Sequence, residues 1–298
     1  MSAKPPPRAP SAAYLRGLSA NDLVLIARAG GLDARDPAEI DRLRADEDLL
    51  ERLLGADAVA EAVLGDAEDP EREPALLGAS PFLIFAVAMQ RTLLEVDQVR
   101  YVPEWIGPRQ RIPVLEDGSL REFLGDRDRQ LFLVELLASY TRVASGSLWH
   151  QTPRGRRRQR FSELDLMRLA ALLDAVPEER RAVIHRRLGD LALFLAGVFP
   201  DHTAGRLFRP IDMERLGRAA AVSGDDSGLS AALETHGGVG LLEVLGSRWY
   251  RLAAAPLAPA PANRLASIAD RFVEARRALN LITDRYLFPV RGGWLPVP

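Results

Sequence analysis

Residues 178–199 read EERRAVIHRRLGDLALFLAGVF, and the change of character halfway along them decides the fold. Ile184, Leu188, Leu191, Leu195 and Val198 recur at spacings of four, three, four and three, which places them on one face of an α-helix. From Leu191 onward nearly every position is apolar, so the helix starts with one wet side and ends enclosed on all sides. An element of that kind must be surrounded by other helices. A second seam, Leu265, Ile268, Phe272, Ala275, Leu279, Ile282 and Tyr286, alternates threes and fours and predicts one helix over 263–288. The two stripes suit each other as partners within the chain. The second, about three and a half heptads long, also suits a homodimer.

Working outward, the helix signals are plentiful. Asp36-Pro37-Ala38-Glu39 sets an N-cap, a proline at the first helical position and a capping glutamate in order, predicting a helix over 37–54 closed by Gly55. Ser19 with Asp22 opens a shorter helix ended by Gly30-Gly31, and Ser80-Pro81 opens an apolar one from Phe82 to about Val96. Residues 128–145 read as a strongly apolar helix, and Ser162 to Asp165 caps another that runs to about Ala175. Between the helix ending near Val96 and the one starting at 128, residues 98–118 (QVRYVPEWIGPRQRIPVLEDG) break the period with Pro103, Pro108 and Pro113 and fit a short β-hairpin or an ordered strap packed through Trp105. There is no alternation of strand and helix and no internal repeat. The expected fold is therefore all-α, a helical bundle with a short irregular or β-hairpin connector. The expected divisions are a proline-rich tail over 1–13, a helical unit over 14–97, the connector over 98–118 and a bundle over 119–298.

Composition removes whole classes of chemistry. The 298 residues contain no cysteine, which excludes disulfides, thiolate metal sites and cysteine nucleophiles. Lys4 is the sole lysine, so Schiff-base chemistry and the lysine of a phosphate-binding loop have no candidate outside the tail. The arginine bias fits a GC-rich bacterial genome. Leu191 to Phe199 is the longest apolar run, far short of the roughly 20 residues that cross a bilayer. Met1 to Pro10 has no apolar secretory stretch. No membrane association is expected, and the cytoplasm is the expected compartment.

Four histidines, His150, His185, His202 and His236, form no metal signature. His236-Gly237-Gly238-Val239-Gly240 has no nucleophile elbow to serve, and reads as the end of one helix and the start of the next. No glycine-rich phosphate fingerprint follows a strand, so no cofactor is expected. Charge is distributed unevenly: residues 1–100 carry 11 basic against 18 acidic residues, whereas 101–160 carry 11 against 7. The densest basic stretch is an expected loop holding Arg154, Arg156, Arg157, Arg158 and Arg160. Arg180, Arg181 and Arg187 follow two elements later, and together they could bind a nucleic-acid backbone. Two acids lie in greasy surroundings, Glu135 and Asp190. With Arg142, Trp149 and His150 they make a candidate polar ligand site.

Three functional readings follow. The first is a non-enzymatic regulatory or scaffolding protein acting through contacts with a protein partner, since every catalytic motif search comes back empty. The second is a nucleic-acid-associated regulator using the arginines of 154–187. The third is a helical enzyme or small-ligand sensor working around Glu135, His150 and Asp190. Enzymatic activity is left undecided, with the balance against it.

Overall fold

The computed structural model describes residues 14–65, 78–107, 110–152, 155–205, 208–221 and 227–287. The protein is mostly helical and carries two antiparallel sheets of two strands each. The chain divides into two compact units: one runs to Asp97 and takes in Tyr286 and Leu287, and the other covers 98–285.

The first unit contains α1 (Ala20–Ala29), α2 (Pro37–Ala45), α3 (Glu47–Leu54), α4 (Asp57–Leu64) and α5 (Pro81–Glu95). The Asp22 carboxylate ties two of their starts together. Fully buried, it accepts from the Ser19 N–H at 2.7 Å and the Ser80 N–H at 2.8 Å, satisfying donors that a helix start leaves open. The single helix expected over 37–54 is two. Asp46 takes an extended conformation (φ −112°, ψ 93°), and its side chain caps the Leu49 N–H, so it starts α3 instead of continuing α2.

The second unit holds the strands β1 (Tyr101–Gly107) and β2 (Gln110–Leu115), then α6 (Ser119–Leu124) and α7 (Arg127–Ser139), then β3 (Ser145–Thr152) and β4 (Gly155–Ser162). After these come α8 (Leu166–Ala170), a 3-10 turn (Ala171–Asp174), α9 (Glu178–Val198), α10 (Pro200–Ala204), α11 (Pro210–Ala219), α12 (Ser227–Ala254), α13 (Pro259–Asp270) and α14 (Phe272–Ile282). Residues Leu188 to Val198 of α9 are buried without interruption, and α7, α8, α10, α12 and α14 pack around the helix. The α12 crossing is close because a Cβ at Gly189 would lie 2.6 Å from the Tyr250 ring. Helix α12 itself breaks at Gly237, whose φ of 58° and ψ of −147° suit glycine alone.

Four expectations need correction here. The helix expected over 263–288 is interrupted at Arg271 (φ −120°, ψ 38°), whose side chain pairs with Glu274 and Glu122, so α13 and α14 are separate. Its seam is spent inside the chain: Leu265, Ile268, Phe272, Ala275, Leu279 and Ile282 are all buried, leaving no open face there for the homodimer considered above. The arginine-rich stretch after residue 154 is a β-strand instead of a loop, with β3 and β4 pairing from Ser145↔Ser162 to Thr152↔Gly155. That second hairpin also ends the helix expected over 128–145 early, at Ser139.

Residues 98–118 belong to the second unit and are tied into it by buried side chains. Trp105 is 1% exposed, donates to Asp201 Oδ1 at 2.7 Å and is covered by the Arg111 guanidinium at 4.7 Å. Next to it, Glu104 accepts from Arg276 and Arg277, each at 2.6 Å. Arg276 is itself 1% exposed and also bonds Glu243 at 2.5 Å and Asn280 at 2.9 Å. Cutting one member out of such a network strands the others' charges in the interior. Arg276→Ala is therefore expected to lower unfolding stability by about 3–5 kcal/mol, measured by urea denaturation. A loss below about 1 kcal/mol, the value of an exposed pair, would show that the network is not holding the hairpin in place.

Candidate functional site

Helix α9 changes from wet to dry along its length, and the wet half borders a cleft. The cleft has a volume of about 640 Å³ and lies among α8, the 3-10 turn, α9, α11 and α12. Its apolar lining includes Met167, Ala170, Leu173 and Leu252. Its charged wall comes from two helices: Arg181 and His185, one turn apart on α9, and Arg215 and Arg218, three residues apart on α11. Asp174, at the end of the 3-10 turn, is the one acid in the lining.

The arginines of this wall differ from those elsewhere in the fold. Arg187 meets Glu163 at 3.0 Å, Arg264 meets Glu135 at 2.9 Å, and Arg276 meets two carboxylates. Among the described residues, Arg181 and Arg215 make no ion pair or hydrogen bond, and Arg218 reaches Glu214 only at 3.9 Å across exposed side chains. Like charges gathered in a concave site raise each other's cost and favour an arriving anion. His185 is half-buried beside Arg181. Burial, joined by the Arg181 charge, lowers its pKa against a raising contribution from the Ala219 backbone.

Of the residues expected to form a polar site, Glu135, Arg142 and Asp190 stand apart from this cleft among the described residues. Glu135 is 42% exposed and paired with Arg264, whereas Asp190 is buried and accepts from the Tyr250 hydroxyl at 3.0 Å. Phe132 stands between the two arginine partners, with Arg264 at 5.6 Å and Arg186 at 5.7 Å from its ring. Arg142 is exposed. Trp149 and His150 lie on β3 opposite Arg158 and Arg157, and their side chains lie outside the described residues. Arg154 and the side chains of Arg156 and Arg157 are likewise outside the described residues. Arg158 is exposed and donates to Ser147 Oγ at 2.9 Å, while Arg160 and Arg180 are exposed. Arg187 is turned inward, over the Tyr140 ring at 4.2 Å, with Ser139 Oγ at 3.0 Å.

Sequence reading therefore found Arg181 but not Arg215, Arg218 or Asp174 as its companions, and it did not assign His185 to a site. The i, i+3 pair on α11 is a usable signal only once that helix is known to face α9. Among the described residues no group of three or more His, Asp or Glu side chains is placed to hold a metal ion, and no helix is long and apolar enough to cross a membrane. Comparison with protein-family models, curated proteins and solved structures finds no match.

The buried Asp190 gives a separate test of the interior. Burial raises its carboxyl pKa despite the nearby Arg186 and Arg187 and the bond from Tyr250. A raised carboxyl pKa means that folding penalises the charged form, so this group costs stability as pH rises and the cost vanishes once it is protonated in both states. Asp190→Asn keeps an acceptor for Tyr250 and carries no charge. Its stability relative to the parent chain is expected to be most favourable at neutral pH and to fall as pH is lowered towards 4. Paired thermal melts at pH 7 and pH 4 check this, and a pH-independent difference would contradict it.

Proposed function

We propose that this protein is a non-enzymatic regulatory protein that takes a small organic anion in the cleft between α9 and α11. The observation that carries the reading is that Arg181 and Arg215, neither in an ion pair among the described residues, line the same cleft as Arg218 and several apolar side chains. The volume of about 640 Å³ is in the range of small-molecule sites, which run from about 300 to 1,000 Å³. The helices of the second unit form the bundle that frames it, and ligand occupancy would set the relation of α11 to α9. A protein partner reading that relation is the natural output for a chain with no catalytic motif.

Calorimetric titration of the full chain with aromatic phosphate, sulfate and carboxylate monoesters and acids tests the reading. At least one is expected to bind, with affinity falling at least tenfold in Arg181→Ala and again in Arg215→Ala, and falling as salt is raised. Binding that ignores both substitutions would remove the cleft as the site.

A second reading is favoured by the pairing of β3 and β4. Its register sets Arg156, Arg157, Arg158 and Arg160 along one strand with Trp149 and His150 on the other. A two-stranded ribbon of that composition suits a nucleic-acid backbone. Filter binding with single-stranded and duplex DNA should then show steep salt dependence that drops in the triple alanine variant of Arg156 to Arg158. Affinity equal to that of the parent would dismiss the ribbon as the contact surface.

A further inference from the structure

The cleft holds an acid as well as its arginines, and neither sign is matched from within. Asp174, at the end of the 3-10 turn, is exposed, and its carboxylate makes no ion pair or hydrogen bond among the described residues. Arg181 and Arg215 are in no ion pair either, and Arg218 has only Glu214, at 3.9 Å across exposed side chains. Elsewhere in the second unit opposite charges meet directly, as Arg187 does with Glu163 and Arg264 with Glu135. Here one anion and three cations line a single cavity without pairing with one another.

A ligand that completes this set carries both signs. A simple polyanion is drawn by the guanidiniums and repelled by Asp174, whereas an ammonium on the same ligand turns that repulsion into attraction. Donors and acceptors agree with the charges. The guanidiniums only donate and so take carboxylates, while the Asp174 carboxylate only accepts and so takes an N–H. Size adds a second constraint. A volume of about 640 Å³ suits a ligand larger than a single amino acid, and its lining mixes charged groups with short apolar stretches. Three cations and one anion call for three carboxylates and one ammonium. A dipeptide of two acidic residues brings that set, with two side-chain carboxylates, a carboxyl end and a free amino end.

Resting on the anion-binding reading above, we infer that the cleft is a site for a short acidic peptide with a free amino end, its ammonium on Asp174 and its carboxylates on Arg181, Arg215 and Arg218. The arginines supply the attraction common to all small anions. Asp174 is the selector that separates a ligand of both signs from a simple polyanion, and it takes no part in bond breaking.

The test is calorimetry of the full chain at pH 7 and low salt, where charge contacts are least screened, with glutamyl-glutamate, its N-acetyl form and alanyl-alanine as probes. Acetylation removes the ammonium and keeps all three carboxylates, whereas alanyl-alanine keeps the ammonium and a single carboxylate. Glutamyl-glutamate is expected to bind at least tenfold more tightly than either. Asp174→Asn is expected to abolish its advantage over the acetylated form, whose own affinity stays equal or rises. That carboxylate is exposed and unbonded, so the substitution spares the fold. Arg181→Ala is the second variant and is expected to weaken both glutamyl peptides alike. Equal affinity for the free and acetylated peptides, or an advantage that survives Asp174→Asn, would overturn the inference and leave the anion site standing. Alanyl-alanine binding as tightly as glutamyl-glutamate would overturn the acidic requirement, and peptide binding that ignores Arg181→Ala would place the peptide outside the cleft and overturn it too. Failure of all three probes would also overturn the inference, while binding of the aromatic anions would keep the anion site.

Discussion

The Arg276 guanidinium, 1% exposed, is the point on which the second unit is assembled. A guanidinium cannot lose its charge in a protein, so enclosing one commits the surroundings to supply anions and acceptors for its donors. Glu104 comes from β1, Glu243 from α12 and Asn280 from one turn further along α14. Asn280 in turn donates to the carbonyls of Gly197 at 2.6 Å and Ala196 at 3.3 Å at the end of α9. Four elements distant in sequence are thus placed by one cation. The arrangement specifies geometry more than it adds stability, because hydrophobic residues of matching shape can replace such a network at little cost. Its demand is directional: the β1–β2 hairpin must present Glu104 inward, which carries Trp105 in with it.

The same logic separates the arginines of the interior from those of the cleft. With one lysine in the chain, almost every cation is a guanidinium, and the fold treats them in two ways. Where the backbone comes close, as at Arg187 and Arg264, each is matched to a carboxylate and laid against an aromatic ring. Between α9 and α11 the matching is thinner: Arg181 and Arg215 are in no ion pair among the described residues, and Arg218 meets Glu214 only at 3.9 Å.

Helix α9 was legible because its pattern states both period and environment, and burial of Leu188 to Val198 follows that pattern. The breaks at Asp46 and Arg271 were not, since apolar spacing runs on across each of them and nothing in the period records a change of φ and ψ. At Asp46 the cue was chemical instead, an aspartate followed by acidic residues that suit a helix start. The β3–β4 hairpin was hidden by its arginines: a ladder is made of backbone bonds, and charged side chains tell little about it. For the site, the burial of Asp190 could be foreseen from its greasy neighbours. Its partner Tyr250, 60 residues away, could not. The cleft was least legible of all, because Asp174, His185 and Arg215 come together only through the packing of α8, α9 and α11.

That packing explains why the cleft sits where it does. Helix α9 is held rigidly from Leu188 onward by neighbours on every side, and the last turn before that point carries His185, with Arg181 one turn earlier. The charged groups therefore project from a helix whose far half is buried, without themselves being enclosed. Enclosing them would require counter-charges from the protein, as at Arg276, and would fill the site. Leaving them free on a fixed base holds their spacing in advance of any ligand, so little ordering remains to oppose binding. The wet-to-dry change in residues 178–199 thus does two things, centring the helical unit and setting Arg181 and His185 at the edge of the cleft.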